Sequence, residues 1–406
     1  MKAYVFAEKG RLALRELPAP VLSGLRPEDR RAAILKPRFL SPCQSDVHTV
    51  YAGPGPRRED LVLGHEGVAE IVELGSEVSS FHKGELVAVS AVMPDTEDGT
   101  GHEHMPFSGS KLGRNQNGMW SELFYVPDAE QNLAHIPEGV TPAQALICAD
   151  VMATGFTAAE EAMIGPGQTV VVLGLGAIGL MAVAAAREKG AGSVIAVGSG
   201  NRMGCVRLAA DYGADLVLSY QDGACLYERT EDRTTGGSTD FGEEAGFSER
   251  LRDCQKFRAL RHPAANSTKS PAVDCILDLT KNQGADRVLI CGGGREALAQ
   301  ACDLVKYGTG IVSNVAYYEG EGTIGLPIFS LGRGMAGKTF RFSFCRGGRH
   351  RLEEMLRLTA KGRIASPDRL VTHVLKGSGS IPEALRLMRD KPDGAVKIMV
   401  ELGETW

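Results

Sequence analysis

Two stretches of the 406-residue chain carry residues whose types and spacing can do chemistry. The first is Gly174-Leu-Gly176-Ala177-Ile178-Gly179, which follows the β-branched run TVVVL and opens an Ala-rich, helix-like run, AIGLMAVAAAREKG. In that setting the glycines permit a tight turn and close backbone approach, and the N–H groups of a helix N-terminus stabilise a pyrophosphate. A dinucleotide is expected there, rather than a plain glycine turn packed on a sheet. The next strand end selects which one. NAD sites place an acid about twenty residues beyond the fingerprint to hold the ribose 2′-OH. This chain has Val197-Gly198-Ser199-Gly200-Asn201-Arg202 instead. An acid would repel a 2′-phosphate, whereas a small hydroxyl-bearing turn with a guanidinium nearby accepts one. NADP(H) is therefore expected, although Arg202 by itself reads equally as a solvated residue in a helical first turn.

The second stretch is discontinuous: Cys43-Gln-Ser45-Asp46-Val-His48, then Gly64-His65-Glu66, then Asp150. Cys, His and carboxylate are natural zinc ligands, and a catalytic zinc takes three protein ligands plus an open position. Spacing alone leaves a rival reading level with this one, since a single Cys43 also suits a small buried hydrophobe and a single His65 a core histidine. His102 and His104 in GTGHEHMPF are read as polar contacts of a loop, because a further metal site needs a full ligand set.

The elements that must position these groups change character along the chain. Residues 1 to about 90 read as strands and turns, with β-branched runs such as AYVFAE, RAAILKP and GHEGVAEIVELG separated by Gly, Pro and Asp. TPAQALICADVMATGFTAAEEAMI then has helical spacing, with Thr141 as N-cap and Pro142 in the first turn. From Thr169 strands and helices alternate, which implies a parallel sheet with helices on both faces. Val170 to Ala186 is uncharged and near the lower limit of ~17 residues for a membrane span, but its glycines split it into strand, turn and helix. Residues 221–270 contain no Val or Ile and are expected to form an excursion outside the sheet. The expected architecture is thus an α/β domain from about 155 to 350 set between the two ends of a mainly β domain.

Composition narrows the class. Asp+Glu exceed Lys+Arg by 50 to 45, a formal charge of −5, and no basic cluster appears, so nucleic-acid binding is not expected. Fifty glycines, above the usual ~7%, show no period of three, which excludes collagen. The N-terminus MKAYVFAEKG has no apolar signal stretch, and nine cysteines without a CxxC pair suit a reducing compartment. A cytoplasmic protein without a membrane segment is the expectation.

The order CxSDxH, GHE, GxGxxG resembles the zinc-dependent medium-chain alcohol dehydrogenases. SPCQSDVHTVYAG, LVLGHEGVAEIVELGSEV, ADVMATGF, VLGLGAIGLMAVAAA, CRGGRHRLE and LVTHV are similar to blocks of the bacterial NADP-dependent secondary-alcohol branch. The similarity spans nearly the whole chain except about 222–272. It implies a GroES-like catalytic domain over 1–154 and 351–406, and a Rossmann NADP-binding domain over 155–350 with an inserted polar segment at about 222–272. It also implies one catalytic zinc on Cys43, His65 and Asp150, with Glu66 able to exchange on and off the metal. Ser45 would hydrogen-bond the alcohol and His48 would relay its proton. Cys148 is a possible substitute ligand, but only Asp150 is in register with Thr154-Gly155-Phe156. The branch's 2′-phosphate contacts map to Gly198, Ser199 and Tyr220; its arginine is Gly200 here, with Arg202 two residues on.

Further departures bear on substrate. Residues 91–125 contain no Cys, so no structural zinc is expected. Two tryptophans of the branch's substrate side align with Thr96 and Ser110, while Tyr317 is retained, which implies a wider, more polar site. The resemblance therefore implies an NADP(H)-dependent, zinc-dependent oxidoreductase of secondary alcohols and ketones, or of aldehydes, acting as a homotetramer. The alternatives are an NAD-dependent polyol or amino-alcohol dehydrogenase of the same fold, or a non-catalytic nucleotide-binding regulatory protein.

Overall fold

A computed structural model describes the chain except for residues 24–25, 53–59, 94–109, 114–115, 230–269, 319–322, 393 and 404–405. His102, His104 and Thr96 therefore lie outside the described residues, as does the side chain of Ser110. The chain forms two compact units, Met1–Thr154 with Phe344–Trp406, and Gly155–Ser343. Among the described residues no helix is long and apolar enough to cross a membrane. The uncharged run from Val170 is the strand Thr169–Leu173 followed by the helix Ala177–Glu188.

The first unit is built on an antiparallel sheet whose long strands are Ala33–Ser41 and Glu66–Leu74. Alternation of β-branched and aliphatic residues puts Leu35, Ala69, Ile71, Val87 and Phe124 into one core. The sheet extends through Leu86–Val89 to Leu133–His135 on one side. On the other it reaches Lys397–Glu401 and Val371–Lys376 from the far end of the chain. Register brings remote residues together. Ser41 pairs with Glu66 and Leu40 with Val400, so the ends of three strands distant in sequence converge just before Cys43.

The expected helix after Pro142 is present but is not regular. Thr141 caps it reciprocally with Gln144, accepting from the Gln144 N–H at 3.2 Å while its own N–H donates to Gln144 Oε1 at 2.9 Å. The α-helix Pro142–Ile147 then loosens into a π-helical turn at Cys148–Met152 before resuming as Ala153–Glu161. Insertions of this kind re-aim side chains and concentrate at functional sites.

The second unit holds a seven-stranded sheet in the spatial order Cys225–Glu228, Leu216–Ser219, Ser193–Gly198, Thr169–Leu173, Arg287–Ile290, Ile311–Asn314, Thr339–Phe342. All pairs are parallel except the first. The chain order reverses beside Thr169–Leu173, the switch point at which doubly wound sheets bind ligands. One expectation is corrected. The segment from 221 does not leave the sheet at once, because Cys225–Glu228 pairs antiparallel with Leu216–Ser219. An edge strand needs only one packed face, and Cys225, Leu226 and Tyr227, each half-buried, supply it without Val or Ile.

Candidate metal centre and nucleotide site

In the first unit, one ligand atom each from Cys43, His65, Glu66 and Asp150 all lie within 4.8 Å of one another. Strand pairing explains how. Cys43 follows the strand that ends at Ser41, and His65 precedes the paired strand that starts at Glu66. Gly64 makes the approach possible: its φ is +88°, and any Cβ there would collide with the buried Trp120 ring. Asp150 arrives from the π-helical turn, all of which is buried.

Individual contacts define the donor set. Cys43 Sγ is 3.7 Å from Asp150 Oδ2, and His65 Nε2 is also 3.7 Å from that oxygen. The other imidazole nitrogen, Nδ1, is 3.5 Å from Asp46 Oδ1, and Asp46 also accepts the Cys43 N–H at 2.8 Å. A carboxylate behind a ligating histidine fixes its tautomer and raises its basicity. Thr154 donates to Asp150 Oδ1 at 3.1 Å, leaving Oδ2 for the cluster. Cys148, the possible substitute, faces elsewhere: its thiol meets Thr359 Oγ1 at 3.4 Å and Met152 Sδ at 3.8 Å. Two residues apart on a helical turn, Cys148 and Asp150 cannot share a direction.

Sequence reasoning assigned no role to Lys397. It is 1% exposed, with its ammonium 2.5 Å from Glu66 Oε2 and donating to the Pro42 carbonyl at 3.0 Å. The cost of burying Glu66 shows in its acidity. Burial pushes the carboxyl up to about 7, only partly offset by Lys397, with the Asp150 charge adding to the rise. Asp150 goes the other way: burial opposes its charge, but the hydrogen bond and charge of His65 outweigh that and hold it far below the usual range. Burial and the Glu66 carboxylate push the Cys43 thiol up. His65 is held well above an ordinary imidazole because Asp46 and Asp150 overcome its desolvation.

These residues suit a divalent metal. Glu66 Oε1 is a buried carboxylate oxygen without a hydrogen-bond partner among the described residues, which in a protein interior calls for a cation. Thiolate, imidazole and carboxylate together are the donor types zinc prefers. Ser45 Oγ stands 3.3 Å from His65 Nε2, at the edge of the cluster. His48 lies nearby in the chain, at the start of the turn His48–Ala52, and is half-buried.

The second unit carries the glycine fingerprint. Gly174 has φ +94°, and a Cβ there would press on the Gly292 backbone; a Cβ on Gly179 would collide with the Gly174 carbonyl. A Cβ on Gly176 would meet nothing within 4 Å among the described residues, so that side of the backbone is open to a ligand. Ala177 and Ile178 open the helix Ala177–Glu188, whose first N–H groups have no intrahelical acceptor. Gly198 ends the second strand, with Ser199 and Arg202 in the following turn, and Tyr220, half-exposed, donates its backbone N–H to the Gly198 carbonyl at 2.9 Å.

The Alcohol dehydrogenase GroES-like domain family matches residues 29–138. Over 99% of its length the chain is 37% identical to the NADP-dependent isopropanol dehydrogenase of Thermoanaerobacter brockii, all of which is covered. It is also 37% identical to the enzyme of the same name from Clostridium beijerinckii, over 91% of this chain and 93% of that one. The chain belongs to the zinc-dependent medium-chain alcohol dehydrogenases. The solved alcohol dehydrogenase from Thermus sp. ATN1 has the same fold, with a TM-score of 0.73 at 24% identity, covering 99% of this chain and 100% of that one. A GroES-like unit and a Rossmann-like parallel sheet make up this family member.

The electrostatics lead to two expected outcomes. Without metal, burial and the Glu66 charge favour the protonated Cys43 thiol, and the Asp46 and Asp150 charges favour the protonated His65 imidazole. Zinc uptake by metal-free protein should therefore release protons, and affinity should fall as pH falls. Calorimetry in buffers of different ionisation enthalpy measures this; uptake without proton release contradicts it. Lys397→Met should leave Glu66 buried against Asp150 without its fixed cation and destabilise the protein by about 3 to 5 kcal/mol. Urea unfolding measures this, and the double variant with Glu66→Gln should recover most of the loss.

Proposed function

We propose that this protein is a zinc-dependent, NADP(H)-linked dehydrogenase that interconverts a secondary alcohol and its ketone, or an alcohol and its aldehyde. The observation that carries the reading is the buried cluster of Cys43, His65, Glu66 and Asp150 with the Ser45 hydroxyl at its edge. The isopropanol dehydrogenase names of the relatives agree with it. Cys43, His65 and Asp150 would hold the metal, with Glu66 close enough to exchange on and off it. When bound, zinc supplies Lewis acidity that lowers the pKa of an alcohol, and the nicotinamide ring accepts or donates the hydride.

The chain's own groups handle the proton and the geometry. Ser45 accepts the alcohol's hydroxyl proton and His48 passes it toward solvent. Asp46 holds the His65 ring in one orientation through Nδ1. Gly174, Gly176, Ala177, Ile178 and Gly179 would hold the pyrophosphate, and Gly198, Ser199, Arg202 and Tyr220 the 2′-phosphate end of the nucleotide. Residues 1–154 with 351–406 would form the catalytic domain and 155–350 the cofactor domain.

A homotetrameric, cytoplasmic enzyme belongs to the same reading. The outer edge of Thr339–Phe342 has no strand partner among the described residues, and Ile328, Phe329, Met335 and Phe342 are exposed nearby in sequence, as expected of surface covered by another copy. Thr96 and Ser110, in place of two large rings, imply a substrate bulkier or more polar than acetone.

Metal analysis combined with NADPH and NADH oxidation on a panel of ketones and aldehydes tests the proposal. About one zinc per chain, loss of activity on chelation, faster turnover with NADPH, and better rates on larger ketones than on acetone are expected. Zinc-free protein that still turns over would remove Cys43, His65 and Asp150 from the mechanism.

A further inference from the structure

The turn that follows Ser193–Gly198 is held by a residue outside the nucleotide-binding set of Gly198, Ser199, Arg202 and Tyr220. Gln221, just beyond Leu216–Ser219, reaches back across the sheet end with both ends of its amide. Its Oε1 accepts the Gly200 N–H at 3.3 Å and the Ser219 hydroxyl at 2.9 Å, and its Nε2 donates to Ser199 Oγ at 3.4 Å. A backbone N–H can only donate, so Gly200 fixes which end of the amide is oxygen. Ser199 Oγ also accepts the Asn201 N–H at 3.3 Å. With two donors already on that oxygen, the Ser199 hydroxyl keeps its hydrogen to give away. A phosphate oxygen is a strong acceptor for such a hydrogen, so the turn is polarised toward an anion by neutral groups.

We infer that Gln221 is the positioning residue that sets this protein's discrimination between nucleotides with and without a 2′-phosphate, acting through Ser199 in place of a guanidinium at position 200. The inference rests on the reading of this turn as the adenosine-ribose site. Selectivity here then depends on a neutral side chain alongside the Arg202 guanidinium. Position 200 has room for a larger residue: a Cβ on Gly200 would meet Leu226, Ser219 and Gln221 only at ordinary contact distances of 3.6 to 3.9 Å.

Binding of 2′,5′-ADP and of 5′-AMP, measured by calorimetry on the full-length protein, separates the possibilities without turnover. Gln221→Ala should weaken 2′,5′-ADP roughly tenfold and leave 5′-AMP within about twofold, the loss expected of one well-oriented hydrogen bond to a charged group. Gln221→Glu keeps the acceptor toward Gly200, removes the donor to Ser199 and adds repulsion, so it should weaken 2′,5′-ADP further still. Gly200→Arg in the Gln221→Ala background should restore 2′,5′-ADP binding. An unchanged ratio of the two affinities in Gln221→Ala, or an equal loss of both, overturns the inference while leaving the nucleotide site standing. Failure of the native protein to bind either ligand overturns the site reading and the inference together.

Discussion

The constraint on which the first unit depends is charge burial. A thiol, an imidazole and two carboxylates converge within 4.8 Å, and the described fixed cation placed against them is Lys397, bonded to Glu66. With Cys43, Glu66 and Asp150 ionised and His65 neutral, Lys397 leaves two negative charges uncompensated. A divalent cation neutralises them. Isolated buried charges cost many kcal/mol, so this fully ionised state of the cluster needs a bound cation, and without one the groups shift toward their protonated forms. Structural features that look local assemble the cluster: Gly64 under Trp120, the π-helical turn at Asp150, and the strand register that carries Lys397 to the end of Ala33–Ser41.

The two units divide the work along lines their strand patterns dictate. An antiparallel sheet lets side chains distant in sequence meet across paired strand ends, which gathers residues 43, 65, 66 and 397, while the π-helical turn adds Asp150 to the cluster. A parallel sheet instead lines up strand ends and helix N-termini on one edge, which suits an extended anion such as a dinucleotide. Gly176 leaves the backbone open there, while Gly174 and Gly179 let loop and helix close on themselves.

Much of this is legible in the sequence because it is local. GxGxxG after TVVVL needs only its two flanking elements to be read, and Thr141 with Gln144 forms the expected cap. Other features are hidden for physical reasons. Lys397 lies far along the chain from Glu66, and nothing local distinguishes it from a surface lysine. Register with Thr154-Gly155-Phe156 picks Asp150 over Cys148 in the sequence, but the π-turn that sets their directions is not signalled by composition. The Cys225–Glu228 edge strand carries neither Val nor Ile, so a pattern based on β-branched residues passes over it. Gln221 has no motif at all; its role comes from reaching Gly200 and Ser199 across a sheet edge.

The central claim is that Cys43, His65 and Asp150 together bind the metal. X-ray absorption at the zinc edge of the holoprotein tests it most directly. A single sulfur neighbour near ~2.3 Å is expected, with nitrogen and oxygen completing the shell near ~2.0 to 2.2 Å. Two or more sulfurs would mean that Cys148 or another thiol has taken the place of Asp150. A shell with no sulfur would remove Cys43 and, with it, the proposed ligand set as a whole.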